Sequence, residues 1–269
     1  MSKNVYVSGA GGLGNCLFQV SAAIYYCEKH NYNLKLIKNN TLLFGTSNYF
    51  GKNQMLIVND EYITYDKTIF NKITFIDEIT TSCSIHNDYT NNKLHNLNDQ
   101  DILISGCNQN LNLFNEVFNE IPKYLNITDK TYETYIFNKY GDISSGTVIC
   151  LRKGTDFLEM TKITQKSYIN ALKCLNLKEN DKIYIISDVP VNNYFEDNNF
   201  IEINESDIIQ FYFGLSCKNY ILSESTFHLW ISYLGTDFGK NVNKNVICFN
   251  DTDITNRKLD IETFIKIDY

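Results

Sequence analysis

A continuous apolar run, Val148-Ile149-Cys150-Leu151, gives way abruptly to Arg152-Lys153-Gly154-Thr155-Asp156. Such runs belong to buried parallel strands, so two cations, a glycine and a carboxylate stand at the carboxyl end of one. In open α/β sheets that edge binds ligands. A guanidinium fixed there is a planar two-pronged donor for a phosphate or carboxylate; a surface acid is the plainer partner for it. Two more strand ends carry polar groups: Ser187-Asp188 follows the apolar run 183–186, and Ser223-Glu224-Ser225-Thr226 follows 220–222 and opens a helical pattern at 227–234. Hydroxyls and backbone N–H groups at a helix start hold an anion by direct bonds and by the helix dipole. With Arg152 as countercharge, the set suits a pyrophosphate and needs no metal. Ser225 and Thr226 are also ordinary N-cap residues.

A second constellation lies near the start of the chain. Val5-Tyr6-Val7-Ser8 reads as a strand, and Gly9-Ala10-Gly11-Gly12-Leu13-Gly14-Asn15 as a tight turn into a helix over 16–30. Gly9-x-Gly11-x-x-Gly14 matches the dinucleotide fingerprint in form. That fingerprint wants an acid at the end of the next strand, about 20 residues on, where this chain has Ile37-Lys38-Asn39-Asn40. A lysine there would suit a 2′-phosphate. Tyr135-x-x-x-Lys139 imitates a reductase dyad, on what reads as a helix surface. His30 reads as a helix-end residue; His228 follows the 223–226 turn, with a helix-surface role as the plainer reading. Asp99-x-Asp101 precedes a strand, and Asp251-x-Asp253 follows the late strand 246–249, so neither is set to hold a metal against a pyrophosphate.

The elements that must position these groups alternate. Strands are expected at 34–37, 55–58, 73–76 and 101–106, then helices at 110–125 and 128–140. Tyr140-Gly141-Asp142-Ile143-Ser144-Ser145-Gly146 reads as a linker. Beyond it come strand 147–152, helix 164–175, strands 183–186 and 200–203, a helix from Asp207 to about Leu215, strand 220–222, helix 227–234 and strand 246–249. This is a doubly wound α/β pattern, with domains expected at 1–143 and 144–269.

The formal charge of −7 over 269 residues argues against a nucleic-acid partner, which needs a basic surface. An anionic ligand must then be held by a local cluster. The eight cysteines are scattered with no C-x-x-C pair, which predicts free thiols in a reducing compartment and no zinc site. Met1 runs straight into a short strand, so no signal peptide is expected. No run is long enough to span a bilayer. A cytoplasmic location is the expectation.

Gly11-Gly12-Leu13-Gly14-Asn15-Cys16-Leu17-Phe18-Gln19, followed by Ala22-Ala23, resembles the N-terminal motif of glycosyltransferase family 11, the α-1,2-fucosyltransferases. Cys150-Leu151-Arg152-Lys153 resembles the His-x-Arg-Arg motif of the wider fucosyltransferase superfamily, and Leu151-Arg152-x-Gly154-x-Asp156-Phe157 the matching stretch of protein O-fucosyltransferases. Ile186-Ser187-Asp188 and the segment from Asp207 through Ser225-Thr226-Phe227 to Leu234 are similar to its later motifs. Gly106-x-x-Gln109 has a family 11 counterpart.

The resemblance implies a GT-B-type fold: an N-terminal acceptor domain and a C-terminal Rossmann-like donor domain facing a central cleft. It implies inverting, metal-independent transfer of a 6-deoxyhexose, L-fucose from GDP-fucose in an α-1,2 linkage, to a glycan acceptor, with no other cofactor. By it Arg152 grips the β-phosphate, Ser225, Thr226 and Phe227 meet the phosphates, and Lys153, Ser187, Asp188, Asp207 and Ser223 complete the donor site. Gly12, Gly14, Asn15 and Gln19 belong to the acceptor side of the cleft. Asn15 joins Arg152 among the catalytic candidates. The acceptor hydroxyl must lose a proton, for which Asp156 and Glu159 stand next after the arginine motif. Cys150 replaces the usual histidine and Cys16 the usual glutamine, which leaves room for a non-catalytic nucleotide- or glycan-binding relic of the fold. An NAD(P)-dependent oxidoreductase is the alternative from the glycine pattern.

Overall fold

Residues 3–9, 11–38, 57–58, 61–62, 64–81, 83–86, 100–105, 111–152, 162–178, 180–188, 190–191, 194–195, 200–237, 239–256, 258–259 and 261–268 are described in the computed structural model. They divide between two units, Met1–Ile127 and Thr128–Tyr269.

In the first unit, β1 (Asn4–Val7), β2 (Asn33–Ile37), β5 (Thr74–Ile76), β6 (Cys83–His86) and β7 (Asp101–Ile104) form a parallel sheet in the order β5-β2-β1-β7-β6. The short strands β3 (Ile57–Val58) and β4 (Glu61–Tyr62) pair antiparallel beside each other. Helix α1 (Leu13–His30) starts three residues earlier than its apolar spacing suggests and is buried almost throughout, from Leu13 to Cys27 save Asn15. Its C-cap, Asn31, takes the left-handed conformation (φ 59°), which an asparagine tolerates better than most residues. Asp101 fastens the amino edge of the sheet. Its carboxylate accepts from Asn4 N (2.8 Å) and Nδ2 (3.2 Å), Tyr6 OH (3.1 Å) and Thr81 Oγ1 (2.9 Å). The expected single helix 110–125 is three pieces: α2 (Leu111–Val117), a 3₁₀ turn (Phe118–Glu120) and α3 (Ile121–Tyr124). Val117 leaves the helical region (φ −120°, ψ 5°), and Pro122 supplies no N–H to continue the ladder across the break.

In the second unit, β8 (Thr147–Leu151), β9 (Ile183–Ser187), β10 (Phe200–Glu202), β11 (Asn219–Ile221), β12 (Asn245–Phe249) and β13 (Ile265–Ile267) form an all-parallel sheet in the order β10-β9-β8-β11-β12-β13. Counted within the unit this is 3-2-1-4-5-6, the doubly wound order. Strand β8 is central and buried at all five positions. Its side chains Ile149 and Leu151 pack with Tyr168 and Ala171 of α5 (Gln165–Lys173), so Cys150 and Arg152 point to the other face. Helices α6 (Asp207–Ser216) and α7 (Thr226–Gly235) come so close on that face that a Cβ on Gly214 would lie 2.5 Å from Ile231.

Helix α4 (Lys130–Tyr140) belongs to this second unit, so the division falls ahead of the expected 143/144 boundary. The cause is packing. Tyr132 stacks on Tyr212 of α6 (4.8 Å, 11°), and Tyr140 meets Phe213 edge-on. Tyr135 OH (3.1 Å), Lys139 Nζ (2.5 Å) and Tyr140 OH (2.8 Å) all donate to the buried Glu205 carboxylate. The Tyr135–Lys139 pair is thereby a structural anchor.

Candidate functional site

In a 3-2-1-4-5-6 sheet the crossovers diverge between the first and fourth strands, here β8 and β11, and ligands bind outside the carboxyl ends at that point. Arg152 follows β8, and the 223–226 turn follows β11. The register Ile149↔Ile221 brings Ser223 level with Leu151, and Leu151↔Ser187 sets Arg152 beside Asp188. Arg152 Nε lies 3.9 Å from Asp188 Oδ2, with the side chains 22% and 13% exposed. The surface-acid reading of Arg152 is therefore partly realised, by a sequence-predicted donor residue.

Gln210, on the second turn of α6, holds that edge in shape. Its Nε2 donates to the carbonyls of Ser187 (3.3 Å), Ile203 (3.4 Å) and Glu205 (2.9 Å). Asp207 is exposed in the first turn of the same helix, where its Oδ1 accepts from Ile208 N (2.8 Å). Ser206 is the N-cap, accepting from Ile209 N.

Ser223 and Ser225 are buried, and Thr226 and Phe227 half-buried. Ser225 sits at the N-cap of α7 in an extended conformation (φ −126°, ψ 127°) but makes no side-chain bond to the helix. The capping role that the sequence suggested is thus not what Ser225 does here. The first turn of α7, with the positive end of its dipole, stands at the same carboxyl edge of the sheet that Arg152 follows.

Sequence reasoning noted His228 after the turn but did not foresee its burial. It is fully buried rather than on a helix surface, and its Nδ1 lies 2.8 Å from Ser223 Oγ. Burial first, and the nearby Arg152 charge second, push its pKa down to about 3, so the imidazole is neutral. The only signal was its place three residues after Ser225 in a helix apolar on most sides. Tyr168 was also unforeseen; its hydroxyl donates to Cys150 O (3.3 Å) beneath Asp188 and Glu224, whose charges help raise its pKa after burial and Tyr194. Cys150, in place of the expected histidine, is fully buried, and desolvation raises its thiol pKa. Lys153, Gly154, Asp156, Phe157, Glu159, Gly106 and Gln109 lie outside the described residues.

The first unit has its own switch point, where the loop after β1 enters α1. Gly9 (φ 67°) and Gly11 (φ 75°) take left-handed conformations, and a Cβ on Gly11 would collide with Asn15 Nδ2. Gly12 is the N-cap, without a side chain to bond the helix. Asn15 and Gly12 are partly exposed, whereas Gly14 is buried and Gln19 is 0% exposed. Gln19, expected on the acceptor side of the cleft, is packed in the interior one helical turn beyond Asn15. Cys16 is likewise interior, its Sγ 3.9 Å from Gly11 O. Strand β2 ends without an acid of its own, and Lys38 just after it pairs with Asp77 on the surface (3.1 Å). Asp101 is taken up at the amino edge, and Asp251 pairs with Lys162 (2.6 Å). Among the described residues no group of three metal-ligating side chains occurs, and no helix is long and apolar enough to cross a membrane.

No protein-family model and no curated protein matches the chain. Solved structures do. A NodZ α-1,6-fucosyltransferase co-crystallized with GDP aligns over 87% of this chain and 93% of its own at 10% identity and a TM-score of 0.53. The fucosyltransferase NodZ from Bradyrhizobium aligns over 87% and 94% at 10% identity (TM-score 0.51). A NodZ α-1,6-fucosyltransferase soaked with GDP-fucose aligns over 87% and 93% at 11% identity (TM-score 0.52). At such identities the likeness establishes the fold: mixed α/β with parallel sheets, the GT-B-like architecture of these neighbours.

Proposed function

We propose that this chain is a glycosyltransferase that moves a 6-deoxyhexose, L-fucose from GDP-fucose, to a glycan hydroxyl with inversion and without a metal. The observation that supports the reading is that Arg152 and the start of α7, whose N-cap Ser225 makes no side-chain cap bond, follow the adjacent strands β8 and β11 at the switch point. A departing nucleoside diphosphate develops charge on its β-phosphate. A guanidinium and helix amides aimed there would stabilise the transition state more than the ground state. Ser225, Thr226 and Phe227 would take the phosphates. Asp188, Ser187, Asp207, Ser223 and Lys153 would complete the donor site of the second unit. The structural neighbours co-crystallized with GDP and soaked with GDP-fucose support that donor class.

The N-terminal unit takes the acceptor, with Gly12, Gly14 and Asn15 at its helix start; Asp156 or Glu159 accepts the hydroxyl proton. An α-1,2 linkage is the assignment that the Gly11–Gln19 motif favours, and the enzyme is placed in the cytoplasm. The test is a panel of nucleotide sugars, GDP-fucose and UDP-rhamnose among them, assayed for donor hydrolysis and transfer to mixed glycans. Fucose release from GDP-fucose that persists in excess EDTA is expected. Binding without turnover would recast the chain as a relic of the fold; neither binding nor turnover with any donor would refute the reading, and an absolute Mn²⁺ or Mg²⁺ requirement would overturn the assignment of Arg152 as the counterion.

A further inference from the structure

The amino end of α7 is held in an unusual way. A helix start of this kind is ordinarily fixed by the N-cap side chain bonding the N2 or N3 amide, often with the N3 side chain reaching back. Here Ser225 makes no such bond. The N3 residue, His228, does reach back, but past the N-cap to Ser223, whose Oγ lies 2.8 Å from His228 Nδ1. Both residues are buried, 4% and 3% exposed. The bond closes the 223–228 turn from inside. We infer that His228 is a positioning residue that braces the 223–226 turn, so that the amides of α7 meet a nucleoside diphosphate in fixed geometry.

The chemistry of the side chain fits the task. A neutral imidazole next to Arg152 adds no charge that would repel the guanidinium or compete with it for the anion. Either tautomer keeps the bond: Nδ1 accepts from the Ser223 hydroxyl, or donates to it and frees that hydroxyl hydrogen for the ligand. The inference rests on the donor site proposed above, and a comparison of side chains separates the two. Asparagine places an amide where Nδ1 now stands and can restore the link to Ser223. Leucine fills the space and cannot.

The experiment is GDP binding by calorimetry, with melting temperature, on wild type, His228→Leu, His228→Asn, Ser223→Ala and the Leu/Ala double variant. Loss of one ordinary hydrogen bond corresponds to about tenfold in affinity. His228→Leu and Ser223→Ala should each weaken GDP by about that factor. His228→Asn should recover most of the loss, and the double variant should be no worse than the weaker single one. A residue that merely packed would lower the melting temperature without this pattern in affinity. Wild-type binding with undiminished affinity in Ser223→Ala and His228→Leu overturns the brace alone. If His228→Leu does not fold, undiminished affinity in Ser223→Ala overturns it by itself. A wild-type chain that binds no nucleoside diphosphate overturns the donor site and the brace together.

Discussion

Arg152 is asked to do two things, and a double-mutant cycle with Asp188 separates them. At 3.9 Å two unit charges attract by about 4 kcal/mol at an effective dielectric of 20, a gross figure largely offset by desolvation of both groups. Arg152→Ala leaves Asp188, 13% exposed, without this countercharge, at a cost on the order of 1–3 kcal/mol. For a chain of this size about 2–4 °C in melting temperature follows per kcal/mol. The rate effect is of another kind: loss of one preorganised donor to a developing anion costs about 10²–10³. On an Asp188→Asn background the stability cost of Arg152→Ala should largely vanish, because the neutral amide no longer needs a cation. The rate cost should not. Donor hydrolysis and melting temperature measured for the two single variants and the double variant give both answers. If Arg152→Ala costs nothing in kcat/KM once Asp188 is Asn, the arginine serves the ion pair alone and the phosphate role is refuted. Arg152→Lys should keep most of the stability and lose most of the rate, since an ammonium lacks the bidentate geometry.

Three further outcomes follow from other parts of the molecule. His228 is held down to about pKa 3 when folded against an ordinary 6.5, so below pH 6.5 the unfolded chain binds the extra proton. Stability should then fall as pH drops from about 6.5 toward 3, by up to about 1.4 kcal/mol per unit from this group; urea midpoints at pH 7 and pH 4.5 should show a steeper drop in wild type than in His228→Asn, and equal drops would contradict it. Glu205→Ala removes the acceptor shared by Tyr135, Lys139 and Tyr140 and should cost on the order of 1–3 kcal/mol in denaturant unfolding, with α4 becoming the first segment to exchange its amide hydrogens. Gly11→Ala imposes a Cβ at φ 75° against Asn15; about 1–2 kcal/mol of backbone strain is expected, and a melting temperature equal to wild type would show that the loop has another way to close.

The strand ends were legible in the sequence because a strand carries its own ruler. Once 147–151 is a buried parallel strand, Arg152 must stand at the carboxyl edge; the same holds for Ser187-Asp188 and for Ser223. Short edge strands gave no such signal: β6 reads Cys-Ser-Ile-His and β13 Ile-Lys-Ile, and pairing with a neighbour decides them. The boundary was misread because glycines have more than one use. Gly141 is the C-cap of α4 (φ 77°), and Gly146 packs so tightly under Tyr184 that a Cβ would lie 2.5 Å from its ring. Neither marks a flexible connection, and the segment they enclose belongs to the second unit. Gln19 was placed by motif analogy, which says nothing about which side of α1 meets the sheet. His228 is the sharper instance. A residue in the first turn of a helix has no fixed side until the sheet order is known, because the strand on which the helix lands decides whether it faces water or the switch point. With β11 next to β8, the third residue of α7 turns inward beside Arg152. The same histidine in a sheet whose fourth strand lay at an edge would be the solvent-facing residue that its sequence context suggested. Burial of that one imidazole is therefore a consequence of topology, and it is topology that puts it within reach of Ser223.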